Sequence, residues 1–192
     1  SLAFFFGERP EDCFEWVDRS VAVAAETGVH IWDAGAVVPA ISAALALEDV
    51  PRAKAYYDVL RGAYDKTQPG FAFIGANYAA HIAWQEGRHD DARELVDAIV
   101  DMGERNGGYL VRLYAYVPAA TYAFAAGERS LACRMVGRAR RLARAGDSRV
   151  MEFAICVVAA YFAFRDGRRK RALAYLRRVL EIGEVERYLA FP

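Results

Sequence analysis

Proline is scarce in this chain, 6 residues in 192, and the 15 glycines fall mostly at the ends of apolar stretches. That distribution argues against a disordered chain and against an all-β fold. No apolar–polar alternation survives beyond four residues, so no strand is predicted. Cysteine is limited to Cys13, Cys133 and Cys156, an odd and scattered set. It suits reduced thiols in a cytosol and not a disulfide framework. Histidine is limited to His30, His81 and His89, with no two at a ligand spacing and no CxxC nearby, so no metal centre is predicted. The charge-free apolar runs Leu113–Ala126 and Phe153–Phe164 are shorter than the roughly 20 apolar residues of a membrane span. Nothing resembles a signal peptide. There is no GxxxxGKS/T for a P-loop and no GxSxG or cysteine beside a base to mark a nucleophile. A cytoplasmic, non-enzymatic protein without cofactor is expected.

What the chain does have is an internal repeat. Ala79, Ala80 and Ala83 lead to Gly87, and Ala92 follows five residues later. Ala119, Ala120 and Ala123 lead to Gly127, with Ala132 five on; Ala159, Ala160 and Ala163 lead to Gly167, with Ala172 five on. Further back, Ala43, Ala44 and Ala46 precede Val50-Pro51, with Ala55 beyond. The breaks at 50, 87, 127 and 167 are spaced 37, 40 and 40 apart. A period of this size marks a solenoid of helix pairs, each burying its apolar face against its neighbours. One array over 1–192 is therefore expected, with pairs at about 1–27 (partial), 31–64, 71–105, 109–145 and 148–183. The chain opens on Ser1 without its first leading helix and reads as a fragment of a larger protein.

Local signals fill in the elements. Phe4, Phe5 and Phe6 read as the tail of a missing helix, and Val185 to Pro192 as the start of one more turn. In Cys13–Thr27 the apolar residues Phe14, Val17, Val21, Ala24 and Ala25 share one face, and Gly28 closes the helix. Pro39 and Pro118 should kink or restart the helices that contain them. Gly146 stops one helix, Asp147-Ser148 offers a cap to the next, and Gly183 ends the last complete pair.

The figure of alanine, glycine four residues on and alanine five after that resembles the centre of the tetratricopeptide repeat. In that family the glycine makes the tight turn between helices A and B, and the small residue lets B approach A. Gly87 with Ala92, Gly127 with Ala132 and Gly167 with Ala172 carry the likeness. Val50 with Ala55 matches at the alanine only, and Gly7 with Asp12 at the glycine only. The period is longer than the usual ~34. Repeats of this length are similar to the sensor region of MalT-type, LuxR-family, ATP-dependent transcriptional activators of bacteria. The stretch from Ala172-Leu173 to Leu180, with Gly183 and Tyr188, is similar to the tail of such arrays. The resemblance implies an all-α, right-handed superhelix of antiparallel helix pairs that binds an inducer or a partner protein.

It also implies where binding occurs, since A helices line the concave face in that family. Carried onto this sequence, that face holds Val37, Ala40 and Ala44, then Asn77 and His81, then Tyr114 and Thr121, then Val157 and Tyr161. Asn77 and His81 are four apart and share a helical face; Trp32 and Asp33 open the preceding A helix. The candidate ligand or partner residues are Trp32, Asp33, Asn77, His81, Tyr114, Thr121 and Tyr161. The competing reading makes Asn77 and His81 partners of helix ends and the tyrosines core. The charge-free helices Leu113–Ala126 and Phe153–Phe164 should be buried nearly all round.

Charge is balanced overall but divided. Residues 1–96 carry 8 Lys and Arg against 15 Asp and Glu, a balance of −7, and residues 97–192 carry 17 against 10, a balance of +7. Arg134, Arg138, Arg141 and Arg144 line one B helix; Arg168 to Arg171, Arg177 and Arg178 crowd the next. Nucleic acid, an acidic protein surface (including another copy of this chain) and plain solvent all fit them. His89-Asp90-Asp91 stands at a helix start, where acids suit the positive end of the helix dipole. The expected function is recognition within a bacterial regulator, of a partner protein or small effector, with neither membrane nor direct nucleic-acid contact and with homo-oligomerisation open. The alternatives are a scaffold with no small-molecule role and nucleic-acid binding through the basic B helices.

Overall fold

The computed structural model describes residues 10–30, 33–63 and 69–186. Among them the regular structure is entirely α-helical: α1 Pro10–Thr27, α2 Asp33–Ala46, α3 Val50–Ala63, α4 Pro69–Gln85, α5 His89–Asn106, α6 Tyr109–Ala125, α7 Arg129–Ala145, α8 Arg149–Arg165 and α9 Arg169–Val185. The expected helix tail at Phe4 to Phe6 lies outside the described residues, as does the segment after residue 186. No described helix is long and apolar enough to cross a membrane.

The turns follow one design. After α4, Gly87 takes a left-handed φ of 77°, the Gly87 N–H donates to Trp84 O and the Arg88 N–H reaches back to Ala83 O at 2.9 Å. Gly127 and Gly167 repeat this, with Glu128 donating to Ala123 and Arg168 to Ala163. These bonds satisfy carbonyls left open at a helix end and reverse the chain within three residues. The turn before α3 uses the same bonds, but its left-handed residue is Glu48 (φ 58°), with Asp49 donating to Ala44 at 2.9 Å. The break expected at Val50-Pro51 is thus corrected to Glu48, and Val50 is the first residue of α3. The spacing becomes 39, 40 and 40, and the small residue five on is Ala53, fully buried, not the exposed Ala55. A glutamate is a poor marker for a left-handed turn, so the sequence pattern slips there by two residues.

Other boundaries differ for packing reasons. α2 and α6 run through Pro39 and Pro118. Pro39 is buried among core residues, and that packing outweighs the lost backbone bond. Gly183 is buried inside α9 and does not end it. Ser148 does stand at the N-cap of α8, but its hydroxyl makes no capping bond. The backbone bond from Ser148 to Ala143 holds that turn in its place.

The chain divides into two compact units, Ser1–Leu95 and Val96–Pro192. In the first, α2 packs against α1 and α3, and α4 packs on α3 and touches α2. Its core joins Cys13, Phe14 and Val17 of α1 to Val37 and Ile41 of α2 and Leu60 of α3. Of the face expected on α1, Phe14, Val17 and Ala24 are buried and Ala25 is exposed. In the second unit α6 packs on α7, α7 on α8 and α8 on α9, and α6 also touches α8. Phe124 and Phe162 stack at 4.0 Å between centroids, with the Arg129 guanidinium over Phe124 at 3.5 Å. Glu152 of α8 is forked by Arg178 of α9, Nε to Oε1 at 3.0 Å and Nη2 to Oε2 at 3.1 Å. That fork holds the Glu152 carboxyl below its ordinary pKa.

Two substitutions test the turn and the close approach. Glu48→Gly removes left-handed strain of about 1–2 kcal/mol and returns about 0.5–1 kcal/mol of it as unfolded-state entropy. A small rise in melting temperature is expected, and a fall would refute the strain. Ala132 is fully buried, so Ala132→Leu should cost about 1–3 kcal/mol by overpacking. Arg134→Leu on the exposed face of α7 should leave the melt nearly unchanged. Arg138 is a poorer control, because it pairs with Glu104.

Candidate functional site

In the first unit Asn77 and His81 lie one turn apart on α4, as their spacing requires. Asn77 is half-buried and donates Nδ2 to Phe73 O of its own helix at 3.0 Å. His81 is exposed, yet the protein around it displaces solvent and lowers its imidazole pKa. Asp33 at the start of α2 accepts from His30 Nδ1 at 2.8 Å. Trp32 lies outside the described residues. Val37, Ala40 and Ala44, expected on an open face, are all fully buried. The two-residue slip at Glu48 explains this. Counted from Glu48, the positions that match Asn77 and His81 are Val38 and Ser42, both half-buried. Ser42 Oγ lies 2.8 Å from the Tyr78 hydroxyl, which donates to Val38 O at 3.1 Å.

In the second unit the charge-free helices are not buried all round. Tyr114 is 54% exposed, Val157 42%, Tyr161 49% and Phe164 64%. On α8, Val150, Val157, Tyr161 and Phe164 follow helical spacing and form one open apolar stripe. The expectation of complete burial was wrong because their neighbours leave one face of each of α6 and α8 open to solvent. Tyr161 accepts from Arg165 Nη1 at 3.1 Å, and its ring lies 5.9 Å from that of Phe124. Thr121 is exposed and donates to Val117 O of its own helix at 3.1 Å.

Each unit also holds a small cleft on the side of its second helices. The first, about 230 Å³, lies over Ala79 and Ile82 of α4, between Tyr57 of α3 and Leu95 of α5. The second, about 150 Å³, lies over Ala159 and Phe162 of α8, between Val136 of α7 and Tyr175 of α9. Counted from the left-handed turn residues, all eight lining positions of the first cleft recur in the second. Lys54 corresponds to Cys133, Asp58 to Gly137, and Arg61 to Arg140. Arg88 corresponds to Arg168. The cleft is therefore a product of the repeat, and its chemistry depends on what stands at these positions.

The chain shows no match to known protein families, to characterised proteins or to solved structures.

The two clefts differ in charge. In the first, Lys54 and Arg88 both bind Glu86 at 2.6 Å, and Arg61 binds Asp58 at 3.1 Å. The Lys54 hydrogen bond is the main cause that holds the Glu86 carboxyl below its ordinary pKa. In the second, Asp166 is taken by Arg129 at 3.2 Å and by Arg168 at 3.7 Å. Arg140 and Arg171 meet no carboxylate among the described residues; their guanidinium groups lie 5.9 and 5.8 Å from the centre of the Tyr175 ring. Sequence reasoning singled out neither cleft. The common offsets from the turns could have revealed them, had Glu48 been read as a turn residue. Among the described residues no three His, Cys, Asp or Glu side chains meet as metal ligands. His89 opens α5 with Asp90 and Asp91 in its first turn, and its ring lies against Trp84 at 4.3 Å.

The lowered pKa of His81 makes a pH prediction. The unfolded imidazole takes up its proton near pH 6.5, before the native one does. His81 therefore contributes stability that is fully present above about pH 6.5 and is lost as pH falls through the native pKa. Denaturant melts between neutral and mildly acidic pH should show this decline, and His81→Gln should flatten it. An unaltered slope in His81→Gln would show that the ring is solvated like the free residue.

Proposed function

We propose that this chain is a recognition segment whose helix pairs stack in a right-handed superhelix of tetratricopeptide type. The regular offset of turns and buried alanines, 39, 40 and 40 residues apart, supports the stacking. The observation that carries the function is the apolar stripe of Val157, Tyr161 and Phe164, open to solvent on a helix free of charge along Phe153–Phe164. Exposed aromatic and aliphatic side chains at helical spacing are anchors for apolar residues of a protein partner. A partner with a charged peptide would find no counter-ion along that stretch. The MalT-type resemblance extends the proposal to the sensor segment of a bacterial regulator, with a partner protein or small effector as its signal. Nucleic acid is the less favoured occupant of the basic helices. Arg138 and Arg178 are engaged by Glu104 and Glu152, and those pairs would have to break first.

A peptide library panned on the chain tests the binding face. Peptides with apolar anchors should be enriched on the wild type and lost on Val157→Asp and Tyr161→Asp, with both variants still folded by circular dichroism although Tyr161→Asp also gives up the contacts to Phe124 and Arg165. Equal enrichment on all three would reject this face. An ATPase module before this segment and a helix-turn-helix after it in the full-length chain would support the regulator class, and their absence there would reject it.

A further inference from the structure

We propose that the cleft over Ala159 and Phe162 in the second unit is a binding site for a small organic carboxylate. The inference is independent of the partner-binding face, because it concerns a different side of α8. Two observations combine. The first is charge. Arg140 and Arg171 bring their guanidinium groups to 5.9 and 5.8 Å from the centre of the Tyr175 ring with no carboxylate among the described residues to offset them, and Arg168 also lines the cleft. The one acid in the lining, Asp166, already binds Arg129 and Arg168. A carboxylate in the cleft accepts charge-assisted hydrogen bonds from these planar donors and neutralises charge that no acid of the chain takes up. Arg171 Nη2 lies 3.4 Å from the Tyr175 hydroxyl, so that hydroxyl is a further polar group at the same end.

The second observation is the comparison inside the chain. The equivalent cleft of the first unit has the same arginine, Arg61, but neutralises it with Asp58 one turn earlier. At the position of Asp58 the second cleft has Gly137, and at the position of Lys54 it has Cys133. The loss of the acid leaves Arg140 without a carboxylate among the described residues. The floor of Ala159, Phe162 and Ala163 is buried and apolar. A free inorganic anion would gain nothing from it, whereas a short aliphatic or single-ring body would. The cavity of about 150 Å³ sets the size. A cavity of about this volume takes a single benzene-sized ring, which suits an acid with a compact body.

The test restores the missing acid. A Cβ at Gly137 would meet only Arg141 Nη1, at 3.7 Å, an ordinary contact, and aspartate is a better helix residue than glycine, so the helix should tolerate Gly137→Asp. The chain is titrated by NMR with benzoate, isobutyrate and inorganic phosphate, following the arginine Nε–H signals. Saturable binding of benzoate or isobutyrate that perturbs Arg140 and Arg171 is expected. Gly137→Asp and Arg140→Gln should each weaken it by roughly tenfold or more, the loss that accompanies one charge-assisted hydrogen bond, with unchanged melts. Arg61→Gln, in the equivalent cleft of the first unit, should leave it unaltered. Failure of all three probes to saturate would overturn the site. Phosphate binding without carboxylate binding would overturn the ligand class, and full affinity in Gly137→Asp would overturn the role of the missing acid.

Discussion

The close approach of paired helices is the constraint from which the rest follows. A left-handed residue turns the chain, and the backbone bond spanning it fastens the helix end. Five residues later an alanine sits against the preceding helix, with Ala53, Ala92 and Ala132 fully buried and Ala172 nearly so. A methyl group there permits a short interaxial distance, and a longer side chain would spread the pair. Because the contact recurs at nearly constant spacing, every other side chain acquires a defined place relative to its turn.

That regularity explains why two clefts with the same lining positions have different electrostatic characters. Backbone geometry creates the cavity, and the residues at fixed offsets give it its charge. Around the first, each cation has a carboxylate within salt-bridge distance. Around the second, a glycine and a cysteine replace an acid and a lysine, and two arginines stand unpaired over an apolar floor. The positive balance of the second half of the chain is thus unevenly spent. Arg138 and Arg178 serve to tie helices together, whereas Arg140 and Arg171 remain free of acids among the described residues.

The helical class and most of the helix pairs were legible because apolar periodicity and glycine turns are local signals. The turn before α3 was misplaced because its left-handed residue is Glu48, whose type carries no turn signal. That slip also misplaced Val37, Ala40 and Ala44, which point into the core. The hydroxyl and amide groups of Thr121 and Asn77 were placed on the right helices, but each donates to its own helix one turn back. Which way a polar side chain bonds depends on rotamer and neighbours, and spacing alone cannot supply either.

The sequence by itself determined the all-helical class, the period near 40 residues and the small residues on which the pairing depends. Each of these is a property of a residue type at a separation along the chain. The tertiary structure decided which faces are closed. Val157, Tyr161 and Phe164 are as apolar as the core, but the way its neighbours pack on α8 leaves them open. It also decided which charges are free, since Asp58 reaches Arg61 within a helix whereas Asp166 joins Arg129 of one helix to Arg168 beside the next. Burial and ion pairing are sums over neighbours in space, and only the folded chain fixes who those neighbours are.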